Sequence, residues 1–275
     1  MIKILLTGEG GQGVQTVAKI ITEAAQKSGK KTSYIPSFGV EQRGGVSLAY
    51  IRIADETFPY ARFEQADIIV CFCDRAVPVV KKFIQNETLF IFDSSAIHDK
   101  ILDQVKDVVK KYLPVPAQKI AREKYSTKVL NMIFTGALIA QLKEINFQKA
   151  EEAILETLGA KIAADPKMKD LNFGALHEGM QAVENFDSNQ SEFEGIEIKE
   201  IQQEFSDDKK TWTRFPEYCK GCALCIVRCP VNAIKFSDKV GFLGNPLPIV
   251  DIQKCIACGM CEKTCPDGAI RVDKK

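Results

Sequence analysis

Eight cysteines near the C-terminus of this 275-residue chain fall into two runs with one spacing. The first run is Cys219-x2-Cys222-x2-Cys225-x3-Cys229-Pro230, and the second is Cys255-x2-Cys258-x2-Cys261-x3-Cys265-Pro266. Three cysteines at steps of three wrap a short turn, so their thiolates converge on one corner of an iron–sulfur cube. Disulfides and structural zinc are the competing uses of such residues. Disulfides need an oxidising compartment, and the chain opens MIKILLTGEGG, without the basic, apolar and cleavage segments of a secretory signal. Zinc takes paired cysteines, often with histidine. Here two triplets are each followed by Cys-Pro, and the two histidines, His98 and His177, lie far from both runs. The spacing therefore favours clusters that carry electrons.

The run resembles the bacterial ferredoxin signature, in which the fourth cysteine of each run ligates the other cluster. That resemblance implies one [4Fe-4S] cluster on Cys219, Cys222, Cys225 and Cys265, and a second on Cys255, Cys258, Cys261 and Cys229. The repeat extends past the ligands, since CKGCALCIVRCPVNAIKF aligns with CIACGMCEKTCPDGAIRV. Each half builds one cavity and caps its twin.

The elements that must carry these residues divide unevenly by charge. Residues 187–210 hold eight acidic and three basic side chains, and residues 211–275 hold ten basic and six acidic ones, against +1 for the whole chain. The sequence thus predicts an α/β domain over 1–186, an acidic solvated linker over 187–210, and a small α+β ferredoxin-like domain over 211–275. No apolar run reaches the roughly 18 residues of a membrane span. Neither a membrane nor a nucleic-acid partner is expected, and reduced cysteines without a targeting signal point to the cytoplasm.

In the first domain, apolar runs at 2–7, 32–35, 46–53, 67–72 and 88–92 read as strands. Helical patterns follow Gly13 and cover 76–84, 128–142, 150–158 and roughly 167–184. Alternating strands and helices predict a Rossmann-like, mostly parallel sheet covered on both faces. The turn Gly8-Glu9-Gly10-Gly11-Gln12-Gly13 satisfies G-x-G-x-x-G between a strand and a helix. The acid that would hold a ribose is missing, because no Asp or Glu lies between Glu23 and Glu41, so a nicotinamide cofactor is disfavoured. Anion contact at a helix N-terminus and a mere tight turn remain equal readings. A second loop, PSFGVEQRGG, ends in Arg43-Gly44-Gly45, where a guanidinium fork meets phosphate or carboxylate, or pairs with an acid. Cys71 and Cys73 lie in an apolar strand without metal spacing and read as core. His98 and His177 read as surface or helix-end residues.

GEGGQG followed by PSFGVEQRGG resembles the gamma subunits of 2-oxoacid:ferredoxin oxidoreductases, and the tail resembles their ferredoxin-like delta subunit. The chain is therefore similar to a gamma–delta fusion over nearly all its length except the acidic stretch. The resemblance implies a complex that decarboxylates a 2-oxoacid with thiamine diphosphate, forms acyl-CoA, and passes electrons to ferredoxin. No G-D-G motif for magnesium and thiamine diphosphate occurs here, so those cofactors and catalysis are expected on alpha and beta partner subunits. By the same resemblance Gly8, Gly10, Gly11, Gln12, Gly13, Arg43, Gly44 and Gly45 border the active site, with CoA a candidate ligand there and its specific contacts left open. An acidic ferredoxin is the expected acceptor, and the substrate leans to 2-oxoglutarate or pyruvate. The competing reading is a ferredoxin-type carrier fused to a nucleotide- or CoA-binding module outside this family.

Overall fold

A computed structural model describes residues 1–38, 45–184, 186, 202–216, 218–240 and 246–275. The chain forms two compact units, Met1–Glu197 and Ile198–Lys275. In the first, the elements run β1 (Ile2–Glu9), α1 (Val14–Lys27), β2 (Lys31–Phe38), β3 (Val46–Ala54), β4 (Ile68–Cys71) and α2 (Val77–Val80). They continue with β5 (Leu89–Asp93), α3 (Asp99–Lys106), β6 (Lys111–Val115), α4 (Ala117–Lys124), α5 (Leu130–Ile139), α6 (Phe147–Ala164) and α7 (Lys167–Glu184).

The six strands form one sheet in the order β2-β3-β1-β4-β5-β6. Only β3 runs against the others, since it pairs antiparallel with both β1 and β2, while β1, β4, β5 and β6 pair in parallel. Pleating splits the core. Ile4 and Leu6 face α1, α4, α5, α6 and α7, whereas Leu5 faces α2 and α3. The sheet is thus mostly parallel and covered on both sides, with β2 and β3 forming a hairpin at one edge. Pro36 and Pro114 sit in the two edge strands, where a missing N–H costs no interior ladder bond. Strand β6 and helices α3 and α4 go beyond the sequence reading. The helix expected over 76–84 is a short α turn flanked by tighter turns at Asp74–Ala76 and Lys81–Phe83.

Helices α5 and α7 touch backbone to backbone. A Cβ added at Gly136 would stand 1.9 Å from the Leu176 carbonyl oxygen, and one at Gly179 would stand 1.9 Å from that of Ile133. Glycine is required at both crossings.

In the second unit, β7 (Gln203–Ser206), β8 (Lys210–Arg214), α8 (Leu224–Val227), β9 (Ile234–Val240), β10 (Pro246–Val250), α9 (Met260–Thr264) and β11 (Ile270–Lys274) follow in order. β11-β8-β7 form one antiparallel sheet and β10-β9 another. Residues 203–210, expected as linker, are instead strand and turn of this unit. Phe205 lies edge-on against Trp212, and the Asp207 carboxylate accepts from the Lys209 and Lys210 N–H groups to close the β7–β8 turn. The linker's remainder, 187–201, lies outside the described residues. Among the described residues no helix is long and apolar enough to cross a membrane.

Candidate functional site

The turns of the small unit place its eight repeat cysteines around two cavities. One is lined by Cys219, Cys222, Cys225 and Cys265. The other is lined by Cys229, Cys255, Cys258 and Cys261. Each cavity draws three thiols from one repeat and the fourth from the other. No three Cys, His, Asp or Glu side chains among the described residues converge on a point as they would about a single metal ion. The thiols stand around the walls instead.

The backbone that does this repeats as closely as the sequence. Left-handed φ occurs at Gly221, Ala223 and Asn232 in the first repeat and at Ala257, Gly259 and Gly268 in the second. These are the same three alignment positions. Alanine at such a φ costs about 1 kcal/mol, and the turn that swings successive thiols to one side retains it in both repeats. Matching N–H groups reach the sulfurs, with Ala233 N 3.2 Å from Cys229 Sγ and Ala269 N 3.3 Å from Cys265 Sγ.

These walls fit an iron–sulfur cube. Burial, and then the neighbouring thiolates, push the Cys225 thiol up to about 12; burial also raises Cys219 and Cys261. Thiolate ligands brought together on one wall call for a cation beside them, and iron binding releases thiol protons. The four-thiol donor set and the N–H groups aimed at sulfur complete the match.

In the α/β unit, α1 and α2–α3 lie on opposite faces, so the topological switch point, where a doubly wound sheet places its ligand crevice, falls beyond the C-terminal ends of β1 and β4. The glycine turn forms one wall. Gly11 and Gly13 have φ of 103° and 83°, and a Cβ at Gly8 would meet Phe72 and Val14 at 2.9 Å. Three N–H groups are spent locally: Glu9 N donates to Gln12 Oε1, Gln12 N to Glu9 O, and Gly10 N to Gly45 O. The turn is thus built from tight packing, with Gln12 as its clasp. Arg43 and Gly44 lie outside the described residues, while Gly45 joins the turn through that last bond.

The other wall carries residues that the sequence reading passed over. Arg75 pairs with Glu9 at 3.8 Å, and Asp74 accepts from the His98 backbone N–H at 2.8 Å while contacting its imidazole Nδ1. His98, expected at a surface or helix end, does precede α3 but is buried. The available signal was the position of Asp74-Arg75 just beyond a buried strand. Cys71 and Cys73 are buried in the core, and burial raises the Cys71 thiol well above its ordinary value. His177 lies on α7 beside Phe147.

An open α/β sheet in one chain with a small unit of two four-cysteine cavities fits the class of iron–sulfur proteins. Residues 3–182 match the pyruvate ferredoxin/flavodoxin oxidoreductase family, and residues 218–269 match the 4Fe-4S dicluster domain. The chain belongs to that oxidoreductase family and carries an added dicluster domain. Its similar proteins include the 2-oxoglutarate synthase subunit KorC of Methanothermobacter marburgensis, 30% identical over 66% of this chain and 96% of the relative. The common gamma subunit of the pyruvate/ketoisovalerate oxidoreductases of Pyrococcus furiosus is 27% identical over 68% of this chain and 100% of the relative. Indolepyruvate oxidoreductase subunit IorB of Archaeoglobus fulgidus is 28% identical over 65% and 93%. The fold is shared with a keto/oxoacid ferredoxin oxidoreductase gamma subunit from Geobacter sulfurreducens, at a TM-score of 0.53 and 22% identity over 68% of this chain and 100% of that one.

Proposed function

We propose that this chain is the electron-transfer and architectural subunit of a thiamine-diphosphate-dependent 2-oxoacid:ferredoxin oxidoreductase, and that its two cavities hold [4Fe-4S] clusters. The observation that carries this reading is the crossed set of four thiols around each cavity. Bound there, the clusters supply one-electron storage and transfer. The chain's own residues hold them, with Cys219, Cys222, Cys225 and Cys265 at one site and Cys255, Cys258, Cys261 and Cys229 at the other. Cys222 and Cys258 are exposed, which brings each site within reach of an outside redox partner.

Thiamine diphosphate, magnesium and the carbon chemistry belong on alpha and beta partners in this reading. The overall reaction converts 2-oxoacid, CoA and oxidised ferredoxin into acyl-CoA, carbon dioxide and reduced ferredoxin. The C-terminal ends of β1 and β4, with Gly8, Gly10, Gly11, Gln12, Gly13 and Gly45, border that active site, and with Arg43 and Gly44 they are its candidate CoA contacts. An acidic ferredoxin is the acceptor, drawn by exposed Arg228, Lys235 and Lys263. Lys254 and Arg271 contribute less, because they pair with Asp251 and Asp273.

Anaerobically purified protein is expected to hold about eight iron and eight sulfide. A Cys71→Ser, Cys73→Ser double variant that still folds should keep that content. About four iron in the wild type, or zinc in place of iron, would remove the two-cluster assignment.

A further inference from the structure

The repeat makes the two cavities alike in thiols, turns and N–H···S bonds, so departures from the repeat stand out. Strand β8 supplies the first. It belongs to neither repeat, and two of its alternate residues, Trp212 and Arg214, are both buried. Trp212 points its indole N–H at Cys261 Sγ, 3.4 Å away in the second cavity. Arg214 serves the other cavity. Its guanidinium donates to the Pro248 carbonyl and to Gln203 Oε1, and both Pro248 and Ile270, its register partner on β11, line the cavity of Cys219. The side chain is 1% exposed, its Nε has no hydrogen-bond partner, and no carboxylate pairs with it among the described residues.

The repeat positions add a second asymmetry. Lys220 and Asp267, 3.2 Å apart, both line the first cavity, while their counterparts Ile256 and Val231 line the second and are apolar. That pair is close to neutral. At the second cavity Glu262, where the first repeat has Ile226, accepts from the N–H of Val272, a lining residue. Among the described residues, the buried unpaired cation Arg214 thus stands at the first cavity, whereas the second has only the exposed Glu262 carboxylate on the strand behind it. A cluster on four thiolates gains one more negative charge when it takes an electron. A buried cation favours that state more strongly than one neutral indole N–H does, because low-dielectric surroundings screen a full charge poorly.

We infer that Arg214 tunes the cluster held by Cys219, Cys222, Cys225 and Cys265 to the higher reduction potential, so that a single electron entering this chain comes to rest there. The inference rests on the two-cluster reading. Arg214 is a positioning residue acting on the cluster through charge, and it separates two sites that the repeat would otherwise make near-equal.

The test is a potentiometric titration of the anaerobic holoprotein with dithionite, followed by electron paramagnetic resonance, with iron and sulfide measured on the same samples. Two waves alone decide nothing, because repulsion between neighbouring clusters also splits identical sites. Arg214→Gln should move the upper wave to more negative potential by tenfold or more in the reduction equilibrium, about 59 mV for one electron, and leave the lower wave in place. Arg214→Lys, which keeps the charge, should hold the upper wave near its wild-type value. Trp212→Phe should lower the other wave. If Arg214→Gln shifts neither wave or only the lower one, the inference is overturned. Where Arg214→Gln loses iron, Trp212→Phe decides, since displacement of the upper wave would place that cluster at Cys261 and reverse the order. A wild-type sample with about four iron, or with zinc, would instead end the two-cluster reading itself.

Discussion

In the Met1–Glu197 unit, β1 is buried from Ile4 to Leu6 between two helical layers, and α5 is apolar on nearly every side. In the Ile198–Lys275 unit the buried apolar set is small, centred on Trp212, Ile234, Val250 and Ile270, and it includes the thiols of Cys225 and Cys261. A second patch joins Leu247 and Ala269 to Cys219. The first unit draws its stability from area removed from water. The second is of a size at which natural domains depend on metals or disulfides, and its would-be core is partly made of metal ligands. Two folds in one chain should therefore fail by different routes.

Removing iron should break the comparison open. Chelation of the anaerobic protein is expected to abolish hydrogen-exchange protection in β8 and β11 while β1, β4 and α5 keep theirs, because metal-binding free energy is folding free energy in the small unit. Retained protection in β8 without iron would show that Trp212 and its neighbours suffice alone.

The converse lesion is Gly179→Ala. Its Cβ would meet the Ile133 carbonyl oxygen at 1.9 Å, so α5 and α7 must part. Overpacking of this kind costs about 3 kcal/mol, while alanine's helix propensity returns about 1 kcal/mol, so a net loss of about 2 kcal/mol is expected. Urea unfolding monitored at the α/β unit should register it, with the iron content unchanged. A neutral result would mean that the crossing relaxes freely.

What could be read from the sequence follows the same division. The cysteine spacing states its own requirement, because the thiols converge only if the turn between them is short. The glycine turn was legible for the same reason, and the structure adds that Gln12 is its clasp. Long-range pairings were not legible. Strand β6 reads as Lys-Tyr-Leu-Pro-Val, whose proline argues against a strand until its place at the sheet edge is known. The acidic composition of 203–210 concealed a strand held by Phe205 against Trp212. Nothing near His98 in sequence announces Asp74, 24 residues earlier. Arg214 likewise has its meaning only through Pro248 and the far repeat.

The last contrast is one of sign, in how the two units depend on pH. Asp93, fully buried at the end of β5, accepts hydrogen bonds from Ser95 N, Ser95 Oγ and Gln118 N at the start of α4. Burial outweighs these bonds and raises the carboxyl to about 7. An unfolded aspartate titrates near 3.9, so between about pH 4 and about pH 7 unfolding releases this proton. The Asp93 contribution is thus fully present below the unfolded value and is lost as pH rises through the folded one, by at most about 1.4 kcal/mol per pH unit. Asp207 in the small unit behaves oppositely. Its bond to Lys210, and then the Lys209 N–H, lower its carboxyl, so its contribution is present above the unfolded value and is lost as pH falls through the folded one. Asp93→Asn removes the first slope and leaves the second. Hydrogen exchange at β4 and β5 amides, compared between wild type and variant from about pH 5 to about pH 7.5, a window spanning the raised value, should show the wild-type advantage shrinking as pH rises. A constant gap would mean that Asp93 is ionised throughout, its three donors outweighing burial, and the predicted opposition between the two units would be lost.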